Sequence, residues 1–105
     1  MSEIERGSTN VYADLGMPNA EEMLVKAQLA TKIGEIIRRR KLTQVEAAEL
    51  LGIPQPKLSN MLRGQFRGIS EVKMLECLTW LGRNVRIVVS STRSRAEGHV
   101  SVEFA

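Results

Sequence analysis

The sequence predicts a mainly α-helical chain, a compact bundle of about four to five helices with one short β-strand near the C-terminal end. Three observations carry that expectation. Apolar residues recur at helical spacing through residues 19–82, in stretches separated by Gly, Pro and cap-forming residues. The stretches around residue 52 are short and joined by a turn of a few residues, so they pack at a steep angle and not as a long antiparallel pair. After Gly82 the pattern changes to alternation in NVRIVVS, the period of a strand.

Length and composition bound the rest. A chain of 105 residues, 43% apolar, suits one domain with a modest core, and with only four aromatic residues that core must be aliphatic. No apolar run approaches the ~18 residues of a membrane span, and MSEIERGSTN has no apolar stretch of the signal-peptide kind. Cys77 is the single cysteine and can form no intrachain disulfide, which fits a reducing compartment. The expected location is the cytoplasm.

Charge is unevenly placed. Residues 1–31 carry two Lys/Arg against five Asp/Glu, residues 32–67 eight against three, and residues 68–105 five against four. The middle segment therefore holds a net +5 in a chain whose total is +3. Such a segment attracts polyanions, phosphate backbones above all. The run Arg38–Arg39–Arg40–Lys41 would also suit the negative end of a helix with no ligand present.

Residues 1–18, with Gly, Ser, Asn and Pro and little periodicity, are expected to be a flexible N-terminal segment. Asn19 is placed to cap a helix that runs to about Arg40, with Glu21 and Glu22 in its first turn and Leu29, Ala30, Ile33, Ile36 and Ile37 as its apolar stripe. Thr43 with Glu46 three residues on forms a capping box for a short helix, Gln44 to Leu51, that buries Ala47, Ala48 and Leu51. Gly52 ends it in the left-handed conformation. In GIPQPKLS the two prolines mark a boundary, since proline costs about 3 kcal/mol inside a helix. Pro56 suits the first helical position, with Gln55 at or near the N-cap. Two short helices around one tight turn make a helix-turn-helix.

The residues that build this unit carry a resemblance. TQVEAAELLGIPQPKLSNMLRG, residues 43–64, resembles the helix-turn-helix of phage-repressor/Cro-like (XRE) regulators, whose domains have the lambda-repressor-like fold. Gln44 opens the first helix, Ala48 lies in its middle, Gly52 sits at the turn, Ile53 follows, and Leu58 and Met61 are the aliphatics of the second helix. With NVYADLGMPNAEEMLVKAQL, RRRKLTQ, RGQFRGIS and LGRNVRIVV the chain is similar, over about residues 10–90, to HigA-like antitoxins. That resemblance implies a homodimer that represses its own operator and neutralises a RelE/HigB-like mRNA-cleaving toxin. Related sequences also serve as stand-alone regulators.

The second helix defines a candidate DNA face. At 100° per residue Leu58, Met61 and Leu62 cluster on one side, opposite Pro56, Ser59, Asn60 and Arg63, with Lys57 on a flank. N-terminal residues of a recognition helix reach base edges, so Gln55, Lys57, Ser59 and Asn60 are assigned to base contacts. Thr43, Gln44, Arg63, Arg67 and Arg40 are assigned to phosphates. An ordinary solvated helix face is the competing reading for each.

Ser70 begins a last helix with Val72, Met74, Leu75, Leu78 and Leu81 as its apolar residues, and Gly82 stops it. Cys77 and Trp80 within it read as packing residues. In the strand that follows, Val85, Ile87 and Val89 alternate and need a partner for their backbone. The partner is either the symmetry mate in a homodimer, which would suit a palindromic double-stranded operator, or HVSVEF (residues 99–104). The domain plan is therefore a flexible segment 1–18, a DNA-binding domain 19–82 and a dimerisation element 83–105, with the polar link 90–98 expected to be mobile.

Catalysis has little support. His99 stands alone, there is no metal-ligand spacing, and GQFRG lacks the Lys-Ser/Thr of a phosphate loop, so no catalytic residue, metal or cofactor is assigned and no small-molecule ligand is evident. Three functions remain open. The first is an antitoxin and autorepressor whose Val11, Tyr12, Leu15 and Met17 anchor the toxin. The second is a stand-alone regulator with the same DNA face, acting at the nucleoid. The third is an adaptor with a degenerate helix-turn-helix, which would have no need of a +5 segment.

Overall fold

A computed structural model describes residues 19–92 and 97–105. Four helices follow in order: α1 (Ala20–Arg39), α2 (Gln44–Leu51), α3 (Gln55–Leu62) and α4 (Glu71–Trp80). The anticipated stripe of α1 forms the centre of the core: Leu29, Ala30, Ile33, Ile36 and Ile37 are all buried. Around them close Ala47, Ala48 and Leu51 of α2, Leu58 and Met61 of α3, and Met74, Cys77 and Leu78 of α4. Helix α1 packs on α3 and α4, and α2 packs on the same two helices. No described helix is long and apolar enough to cross a membrane.

The helix ends explain the short connections. Each helix finishes with an i→i−5 hydrogen bond and one left-handed residue: Leu42 N–H to Ile37 O (3.1 Å), Ile53 to Ala48 (3.1 Å), Gln65 to Asn60 (2.8 Å) and Arg83 to Leu78 (2.9 Å). The left-handed residues are Lys41, Gly52, Gly64 and Gly82. Gly52, at φ 67°, turns the chain from α2 towards α3 within three residues and lets Ile53 plug the angle. Gly34 marks the other tight approach, since a Cβ there would stand 3.3 Å from Leu62 Cδ2 of α3, which would have to give by a few tenths of an ångström.

Several expectations need correction. Asn19 occupies the N-cap of α1 but is left-handed (φ 60°, ψ 35°), and its side chain accepts no cap hydrogen bond. The outward side of α4 takes two residues that the apolar pattern placed inside: Val72 is exposed, and so is Trp80, whose ring lies 4.6 Å from Lys73 Nζ. Met74, Cys77, Leu78 and Leu81 already fill the inward side.

No strand occurs among the described residues. Residues 83–92 form no ladder with 99–104, and a lone extended segment cannot satisfy its own backbone as a sheet does. The 97–105 segment instead lies along α1. The Val100 N–H and His99 Nδ1 meet the Glu21 carboxylate at 3.1 and 2.9 Å, Val102 packs on the core, and Phe104 lies 5.5 Å from Lys32 Nζ. The Glu21 carboxyl is thereby held below its ordinary value of 4.5, first by the Val100 N–H and then by His99.

A carboxyl whose folded value is lowered contributes stability that is full above its unfolded value and fades as pH falls through the folded one. Amide-exchange protection at Val100 is therefore expected to hold at neutral pH and to be lost as acid protonates the Glu21 carboxylate, below the ordinary carboxylate value. Glu21→Ala should remove it at neutral pH. Protection unchanged in that variant would contradict the docking.

Candidate nucleic-acid interface

The start of α2 is fixed by reciprocal hydrogen bonds. Thr43 Oγ1 accepts the Glu46 N–H at 3.1 Å, and Glu46 Oε1 accepts the Thr43 N–H at 2.8 Å. The Thr43 backbone N–H, and after it the Thr43 side chain, hold the Glu46 carboxyl below its ordinary value. With residues 43 and 46 engaged, the N–H groups of Gln44 and Val45 remain at the positive end of the helix for an outside acceptor. The anionic Glu46 at the same cap makes this a weaker phosphate seat than a bare helix end. Thr43→Ala should cost about 1 kcal/mol of stability (range ~0.5–2), read from the denaturation midpoint at constant m.

Helix α3 begins one residue earlier than its sequence suggests. Pro54 is the extended N-cap (φ −60°, ψ 142°), Gln55 is the first helical residue and Pro56 the second. The restriction on the residue before a proline is a preference, and here it is outweighed as Leu58 N–H reaches Pro54 O at 3.0 Å. The prolines also dispense with a side-chain cap. Of the four N–H groups that a helix start leaves without a partner, Pro54 and Pro56 have none, and only those of Gln55 and Lys57 remain.

Its two faces are then separated as the spacing demands. Leu58 and Met61 are fully buried and Leu62 packs at the core edge, while Gln55, Pro56, Lys57 and Arg63 are exposed and Ser59 and Asn60 half-buried. One assigned pair is brought together: Arg63 Nη2 donates to Asn60 Oδ1 at 2.6 Å. Thr43, Gln44, Arg40 and Arg67 are exposed at the start of α2, the end of α1 and the loop after α3, where buried Phe66 and Ile69 anchor the chain. Sequence periodicity had not singled out Phe66 or Ile69.

Lys26 meets Glu22 and Lys32 meets Glu35, each at 3.2 Å, and Lys73 lies over Trp80. Among the described residues no acidic partner lies within ion-pair distance of Arg38, Arg39, Arg40, Lys41, Lys57, Arg63 or Arg67. Among the described residues the cations of 38–67 thus stand without acidic partners around α2 and α3, as do Arg83 and Arg86 after α4.

Val85, Ile87 and Val89 stay exposed, Val89 at 91%, along a groove of about 940 Å³. Val25, Leu29, Leu75 and Leu78 line its floor, with the 97–105 segment on its other side. Val11, Tyr12, Leu15 and Met17 lie outside the described residues.

Two short helices at a glycine turn, the second polar outside and apolar inside, define a helix-turn-helix module. A family model described as "Helix-turn-helix domain" matches residues 11–90. A solved structure assigned to the XRE family of transcriptional regulators is 38% identical, superposes with a TM-score of 0.76, and covers 84% of this chain and 100% of its own. No curated protein matches. The chain belongs to the helix-turn-helix domain family, as a member of the XRE family of transcriptional regulators.

Proposed function

We propose that the protein is a sequence-specific transcriptional repressor that places α3 in the major groove of a palindromic operator, and that it is the antitoxin of a type II toxin–antitoxin pair. The observation that carries the DNA-binding reading is the outer face of α3, polar and basic, with cations of α1, α3 and the following loop that have no acidic partner among the described residues. Gln55, Lys57, Ser59 and Asn60 are its base-reading candidates, and Thr43, Gln44, Arg40, Arg63 and Arg67 its phosphate contacts.

Two copies read the two half-sites. Exposed Val85, Ile87 and Val89, on a backbone that forms no ladder among the described residues, suit edge-to-edge pairing with the same segment of a second copy. Ile87→Lys, on a residue 75% exposed, should leave the fold intact and shift the molecular mass in solution towards the monomer. A wild-type chain that is already monomeric contradicts this arrangement.

The antitoxin role rests on the resemblance of residues 10–90 to HigA-like sequences, with a RelE/HigB-like toxin held by Val11, Tyr12, Leu15 and Met17. Co-expression with the product of an adjacent frame encoding a small basic protein tests it: growth rescue supports the antitoxin, and the absence of such a frame supports the second reading. That reading is a stand-alone regulator without a toxin, and the solved relative assigned as a transcriptional regulator is compatible with either.

A further inference from the structure

We propose that Asn60 is a positioning residue for Arg63, and that the two read one base pair as a unit, with Arg63 making the contact and guanine the base selected. The inference rests on the reading of α3 as the major-groove helix. Position on the helix alone would make Asn60 a bidentate reader of adenine and Arg63 a phosphate contact. The geometry points elsewhere.

Bidentate reading of adenine requires the Asn60 oxygen to accept from the base while the amide nitrogen donates to it. Arg63 Nη2 already takes one of that oxygen's two lone pairs at 2.6 Å and turns the amide plane towards the arginine. The orientation is chemically forced, because a guanidinium offers only donors and the amide must turn its oxygen towards it. The bond is short and charge-assisted, the stronger kind of side-chain hydrogen bond.

The backbone beneath the pair is fixed as well. The Asn60 carbonyl accepts both the Arg63 N–H at 3.1 Å and the Gln65 N–H at 2.8 Å, closing the end of α3. Side chains on a helix lean towards its N-terminus, which carries Arg63 back over the turn that holds Asn60 and towards the base-reading end. The half-buried Asn60 holds the root of the contact and the exposed Arg63 extends beyond it.

Arg63 is then equipped for guanine. One of its five N–H donors is engaged by Asn60, and the other four can supply the parallel pair that matches guanine O6 and N7. Among the described residues no carboxylate lies within ion-pair distance of Arg63 to compete for them. Holding the guanidinium plane before binding reduces the freedom lost on contact, which is the benefit of a preorganised arginine over a flexible lysine.

The test uses the full chain. Duplexes are selected from a random pool, and binding of each variant is measured against every single-base-pair change of the selected site. Arg63→Ala is expected to flatten discrimination at one G·C pair by roughly 5- to 150-fold. Asn60→Ala should flatten the same pair, and the double variant should do no more than either alone. Asn60→Asp keeps an acceptor for Arg63, so it should retain the preference at that pair while lowering affinity about evenly across sequences.

Three results overturn the proposal while leaving DNA binding in place. They are Asn60→Ala relaxing an A·T pair that Arg63→Ala leaves intact, Arg63→Ala weakening all duplexes evenly, and Asn60→Asp losing preference as Asn60→Ala does. A wild-type chain that selects no duplex overturns the DNA-binding reading itself. Thermal unfolding of each variant, expected to match the wild type at these solvent-facing positions, separates loss of contact from loss of fold.

Discussion

Leu58→Ala is expected to destabilise the domain by about 2–5 kcal/mol, whereas Lys57→Ala, one residue earlier, should change stability by no more than about 0.5 kcal/mol. Leu58 is fully buried between α3 and the core, and truncation there removes transfer energy and leaves a cavity that its close-packed neighbours fill only in part. Domains of this size are stable by about 5–15 kcal/mol, so the loss is a large share of the total. Lys57 is exposed on the flank of the same turn and has no ion-pair partner among the described residues. Its removal should weaken DNA binding while the denaturation midpoint stays put. Equal stability losses in the two variants would contradict the inward and outward assignment of α3.

The second large effect is the response of DNA affinity to salt. Lys57, Arg67 and Arg40 all lie exposed without acidic partners among the described residues, and each that meets a phosphate releases condensed counterions. If two copies together make 6–10 such contacts, affinity should fall roughly 10³- to 10⁵-fold between about 50 and 200 mM salt. Removing one phosphate-contacting cation should reduce the slope of log affinity against log salt by about 1. Removing Lys32, which is paired with Glu35 on α1, should leave the slope where it was. A salt-independent affinity would contradict any account in which this surface meets a phosphate backbone.

How much of this was legible in the residues varies with how local the physics is. The four helices followed from spacing, and the Thr43–Glu46 box and the left-handed Gly52 followed from residue type, because capping is decided within a few residues. The start of α3 was missed by one residue, since Pro54 and Pro56 are both compatible with a helix start and a single hydrogen bond to Pro54 O decides between them. Trp80 and Val72 fit the helical pattern of α4 yet face outward, because pattern says which residues share a side and not whether the core has room for them.

Contacts between distant residues left no periodic trace at all. Glu21 was legible as a helix-start acid, but nothing in the sequence pairs it with Val100 and His99, 79 and 78 residues away. Phe66 and Ile69 sit in a loop without period, so their burial needed the fold. The DNA face was legible as a list of polar residues on one side of α3. That Arg63 and Asn60 act on each other was not, because two side chains three residues apart can each point several ways.

The central claim is that the outer face of α3 and the start of α2 meet DNA. Amide hydrogen exchange of the full chain, free and bound to a selected duplex, tests it most directly. Added protection is expected over residues 43–67, with the outward side of α4 at Val72, Glu76 and Trp80 unchanged. Protection centred on α4 or on the 97–105 segment, with residues 55–63 unaffected, would contradict it.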